Sequence, residues 1–136
     1  MDREALQRMV DASPLHRWMG LQALSVDAAA GAVALRLPWR DEFARGDGAE
    51  QLHGGVTAAL IDVAGDYAVA VRAGGGVPTV SLSVDYLRVA EGSGLVAEAQ
   101  VVKLGRRLSL ADVRVLDDAG RLIAVGRASY AMPAGG

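Results

Sequence analysis

The chain contains no cysteine. That absence removes disulfides, thiolate metal ligands and thiol nucleophiles together, and it suits a reducing compartment. Histidine is nearly as scarce. His16 and His53 are the only two, and His16 has no partner at metal-ligand spacing, so no metal and no separate cofactor are expected. Aromatic residues make up 4% of the chain, which gives no sign of an aromatic cage. Positive charge is not in excess either: 14 Lys and Arg face 16 Asp and Glu. A nucleic-acid partner, which needs a basic face, is therefore not expected. The first residues, "MDREALQRMVDASPLHRWMG", mix both charges and hold no apolar core of signal-peptide length. The expectation is a cytoplasmic protein.

What the chain does have is a long apolar stretch, "LHGGVTAALIDVAGDYAVAVRAGG", Leu52 to Gly75. Its apolar part, Val56 to Val71, is shorter than the roughly 20 residues a membrane span needs. It also carries Asp62 and Asp66 and runs directly into Arg72. No membrane partner is expected. A helix apolar on nearly every side is instead one that other structure surrounds.

The remaining segments supply that structure. Residues 3–11 form a short amphipathic helix, with Leu6, Met9 and Val10 on one side, that ends before Pro14. Strand-like runs follow at 20–27 and 31–38, separated by the turn "DAAAG". After the helix, "GGG" stops it, and alternation predicts strands in "TVSLSVDYLR", "GLVAEAQVVKL", "RLSLADVRVL" and "RLIAVGRASYAM". At 136 residues, with no repeat and no linker, this reads as one α+β domain, 1–136, with 1–19 as an N-terminal helical segment. An antiparallel sheet wraps one long central helix.

Two features of that helix point to chemistry. Gly54 and Gly55 sit at its mouth, where the missing Cβ atoms leave room for a ligand to approach the first backbone N–H groups. Those N–H groups and the helix dipole favour negative charge developing on an acyl oxygen. The same pair also suits a tight loop-to-helix turn. Asp62, inside the apolar run, must be partnered or face a cleft, because an isolated buried carboxylate is costly. Asp66, one turn on, is read as an exposed or interface residue.

With "LHGGVTAALIDVAGDYAV", "TVSLSVDYLRVA", "VVKLGRRLSLADVRV" and "GRLIAVGRASYAM" in view, the chain resembles the hotdog-fold acyl-CoA thioesterases over about residues 12–132. The nearest subgroup is the phenylacetate-degradation, PaaI-like type, itself similar to the mammalian hotdog thioesterase. The resemblance implies that the Gly54 N–H polarises the thioester carbonyl, with His53 shaping that site; Gly55 is a candidate substrate-binding residue. It makes Asp62 the general base or the nucleophile, and Thr79, at the start of the next strand, a holder of the attacking water. The family usually has asparagine six positions before the histidine; Asp47 stands there instead, and Glu50 and Gln51 also depart from the pattern. Asp47 and Gln51 are the candidates to replace the amide. Arg88, Lys103, Arg106 and Arg107 are candidates to meet the CoA phosphates, or else ordinary solvated charges. The partners implied are an acyl-CoA substrate and further copies of the chain, as homodimers paired into homotetramers. A hotdog hydratase or dehydratase and a non-catalytic acyl-CoA-binding module are the alternative classes. The first wants a histidine–acid pair that the sequence does not provide.

Overall fold

A computed structural model describes residues 1–133. The chain runs α1 (Arg3–Asp11), α2 (Pro14–Met19), β1 (Gln22–Asp27), β2 (Ala32–Leu37), a one-turn 3-10 helix (Asp41–Phe43), α3 (Gly54–Ala73), β3 (Thr79–Tyr86), β4 (Leu95–Lys103), β5 (Leu108–Asp117) and β6 (Leu122–Ala131). The six strands form one antiparallel sheet in the order β1-β2-β4-β5-β6-β3. It curls around α3, as the α+β reading expected.

The helix over 3–11 ends before Pro14, as expected, but this proline does more than follow it. It opens a second helix, because Ser13 keeps extended backbone as N-cap and the fixed φ of proline suits the first helical position. Gly20, at φ 74°, closes that helix in the left-handed conformation.

The alternation in the strands decides which face meets α3. Leu35, Ala97, Val115 and Ala124 lie opposite one another in successive strands, and all four are buried. Their neighbours Arg36, Glu98 and Arg114 point outward, where Arg114 pairs with Glu98 at 3.4 Å. Helix α3 is 20 residues long, which is enough to cross a membrane by length and composition. Here the sheet covers it: Leu60, Ile61, Ala64, Ala68, Val69 and Ala70 are fully buried. Burying Leu60 and Ile61 contributes about 1.5–3 kcal/mol each, and the alanines let the sheet come close. The least covered side carries Gly55, Ala58, Ala59, Asp62 and Asp66.

The two edges of the sheet differ. At β1, the Gln7 side chain of α1 accepts the Ala23 N–H at 2.6 Å and donates to the Leu21 carbonyl at 3.1 Å, so the start of that edge is occupied. At β3, every backbone pairing among the described residues is to β6, which leaves the outer edge open there, and Val80 and Leu82 are exposed. An open apolar edge is a template for another strand.

Candidate active site

The mouth of α3 is built by His53, which is its N-cap. The His53 N–H donates to the Phe43 carbonyl at 2.8 Å, and its Nδ1 accepts the Gly55 N–H at 2.9 Å. Of the two glycine N–H groups at the mouth, only one is free among the described residues. The Gly55 N–H is taken, whereas the Gly54 N–H donates to nothing among the described residues. A Cβ on Gly55 would lie 3.0 Å from the imidazole, so glycine lets the cap close without displacing the ring. Gly54 has a different neighbour, which the sequence did not reveal. The Tyr86 hydroxyl donates to the Gly54 carbonyl at 2.6 Å, and its ring lies beside the glycine. Together with Leu52, Thr57, Arg88 and Ile123 they line a cleft of about 240 Å³.

Two turns along, Asp62 is half-buried on the uncovered side of the helix. The Thr79 hydroxyl donates to its Oδ1 at 2.7 Å. Below it, the Tyr130 hydroxyl donates to the Asp62 carbonyl at 2.7 Å. This contact explains Gly65, where a Cβ would fall 2.3 Å from that hydroxyl. Burial, reinforced by the charges of Asp62 and Asp66, pushes the Tyr130 hydroxyl far above its ordinary value. It stays a neutral donor.

Asp66 is neither fully exposed nor idle. It is half-buried, and its Oδ1 accepts the Val77 N–H at 3.1 Å. Burial raises its carboxyl above the ordinary value, the Val77 N–H opposes that, and the Asp62 charge adds to it. On the neighbouring turn His16 Nδ1 lies 2.9 Å from the Tyr67 hydroxyl, which also donates to the Met9 carbonyl at 3.2 Å. Burial, with Asp66 and Asp11 adding to it, pushes Tyr67 up to about 12, and burial also lowers His16 below its ordinary value. This group ties α1 and α2 to α3.

The other candidates are scattered. Asp47 is exposed in the loop before α3, and no hydrogen bond among the described residues joins it to His53 or Asp62. Gln51 forms a backbone bridge to Glu91. Arg88 is at the mouth cleft, but Arg106 shares a separate cavity of about 330 Å³ with Arg72 and Ala73, at the far end of α3. Lys103 and Arg107 are exposed beside that far end, flanking the β4–β5 turn. Among the described residues no group of His, Asp and Glu is arranged to hold a metal ion.

Comparison with known proteins places the chain in a family. The sequence model of the thioesterase superfamily matches residues 50–124, from just before the helix mouth to the last strand. The chain belongs to the thioesterase superfamily. A thioesterase-superfamily protein of known structure is 42% identical, with a TM-score of 0.91 over 96% of this chain and 98% of that one. The phenylacetic acid degradation protein PaaI of Thermus thermophilus, solved with one asparagine exchanged for aspartate, is 27% identical. Its TM-score is 0.77 over 89% of this chain and all of that one. A protein of Halobacterium salinarum, provisionally named an esterase, is 35% identical over 92% of this chain and 88% of its own length. The fold is the hotdog fold of PaaI-like thioesterases, and the protein is a thioester hydrolase.

Proposed function

We propose that this thioesterase hydrolyses acyl- or aryl-CoA thioesters in sites shared between two copies of the chain. Asp62 activates the water, Thr79 holds it, and the Gly54 N–H of the other copy stabilises the oxyanion. The observation that carries the reading is the Asp62–Thr79 pair: a hydroxyl engages one carboxylate oxygen at 2.7 Å, on the uncovered side of the helix. The second oxygen remains for water. General-base action and direct attack by Asp62, through a mixed anhydride, both use that oxygen.

Sharing follows from the helix. Gly54 and Asp62 lie on one unbroken helix, eight residues apart, hence about 12 Å along its axis and about 80° around it. A thioester carbon needs base and oxyanion donor each within about 3 Å or one water. One chain does not bring them together, but a twofold axis that sets each helix mouth against the middle of its partner's helix does, twice per dimer. The open β3 edge, with Val80 and Leu82, and the uncovered side of α3 support a dimer formed there. Arg88 then belongs to the mouth and Arg106 to the opposite helix end, so the phosphates are met by bases from more than one chain, and pairing of dimers into tetramers completes the assembly. Coenzyme A enters as part of the substrate, and the reading asks for no cofactor.

A panel of aryl- and acyl-CoA thioesters, followed by free thiol, tests the activity. Catalytic release of thiol is the expected result. Tight binding without release would instead make the protein an acyl-CoA-binding module.

A further inference from the structure

The approach to Thr79 is poorly fixed by its own sequence. Three glycines, Gly74 to Gly76, separate it from the helix, with Gly74 at φ 88°. Pro78, immediately before it, has no N–H to offer. The β3–β6 register also shifts between Thr79 and Ser81, so the regular ladder begins only after the threonine. Yet its hydroxyl must meet Asp62 within 2.7 Å. After the Gly74 N–H, which caps the helix on the Ala70 carbonyl at 2.8 Å, two hydrogen bonds pin the rest of this stretch: the Ala131 N–H donates to the Pro78 carbonyl at 2.9 Å, and the buried Val77 donates its N–H to Asp66 at 3.1 Å. The second comes from the same helix as Asp62, one turn away, so it references the strand start directly to the reacting carboxylate.

We propose that Asp66 is a positioning residue, a peg on α3 that anchors the glycine loop at Val77 and thereby sets the Thr79 hydroxyl against Asp62. The assignment rests on the reading of Asp62 and Thr79 given above. The role lies in accepting one N–H, and an amide oxygen can accept it equally.

Four folded variants, Asp66→Ala, Asp66→Asn, Thr79→Val and the double variant Asp66→Ala/Thr79→Val, test the proposal by steady-state kinetics. Asp66→Ala should lower kcat about tenfold or more with KM little changed, since small misplacements of a reacting group are costly. Asp66→Asn should restore kcat to within about threefold of wild type, while the double variant should be no slower than Thr79→Val alone. Asp66→Asn as inactive as Asp66→Ala, or single losses that multiply in the double variant, would overturn it. Amide hydrogen exchange at Val77, in wild type and in Asp66→Asn, serves if the alanine variant does not fold. A protected amide in both is expected, and free exchange in the wild type overturns the anchor. Asp62→Asn measured alongside separates the failures. Should it remain active, the reading of the site fails; should it be inactive while the losses multiply, only Asp66 is misassigned.

Discussion

Asp62→Asn should lower kcat by roughly 10²–10⁴-fold, the usual contribution of a positioned base, with KM nearly unchanged. The substitution keeps the side chain's shape and lets its Oδ1 still accept from Thr79, so the fold and the Thr79 contact survive. What disappears is the oxygen that takes a proton from water or attacks the carbonyl. The Tyr130 hydroxyl bonds the Asp62 backbone rather than its carboxylate, so the packing beneath the helix is indifferent to the change. Thermal melting should therefore be close to wild type. A variant that retains activity within a few-fold, while Asp66→Asn is dead, would move the base one turn along the helix.

The second large effect lies at the helix mouth. Gly54→Pro deletes the N–H that donates to nothing among the described residues, and loss of one oxyanion donor costs about 2.7–4 kcal/mol, or 10²–10³ in kcat. The backbone is prepared for the replacement. Gly54 is the first residue of α3, where proline is favoured. His53 before it has φ −65° and ψ 129°, the extended conformation that a following proline requires. A Cβ on residue 54 would lie 3.4 Å from the Tyr86 ring, an ordinary contact. Gly54→Ala is the matching control, because it adds the same Cβ and keeps the N–H. It should stay far more active than the proline variant. Equal loss in both would mean that space, not the donor, matters at the mouth.

Much of the architecture was legible because period-2 alternation in four segments and an all-round apolar helix leave few ways to bury both. The α3 reading placed the helix mouth at the two glycines and the stop at "GGG", where the structure has Gly54 and Gly74. The sequence reads 1–19 as one helical segment with a helix ending before Pro14; that a separate second helix starts at Pro14 is not marked, because Ser13 before it makes no side-chain cap bond and six residues are too few to show a period. At the site, Asp62 stands out by its place inside the apolar run and Gly54 by its place at the helix mouth, whereas Thr79 comes only from the resemblance; the structure sets its hydroxyl 2.7 Å from Asp62. The groups that hold Gly54 and Asp62 do not stand out. Tyr86 reaches Gly54 across 32 residues, and Tyr130 reaches Asp62 across 68. Those contacts exist because β6 pairs with β3 at the sheet edge, and a pairing between distant strands leaves no local periodicity to read. Asp66 reads as exposed or at an interface, and its anchoring role is hidden for the same reason: its partner, the Val77 N–H, is a backbone group whose position depends on how the glycine loop turns back.

The claim that two copies share each site is tested most directly by mixing two dead variants. Gly54→Pro and Asp62→Asn are refolded together in equal amounts, and heterodimers are verified by mass. Each heterodimer holds one site damaged twice and one intact site, with Gly54 from one copy and Asp62 from the other. Random pairing makes half the dimers mixed, so activity should return to roughly a quarter of wild type. A mixture that stays inactive although heterodimers are present would contradict a shared site and confine the chemistry to a single chain.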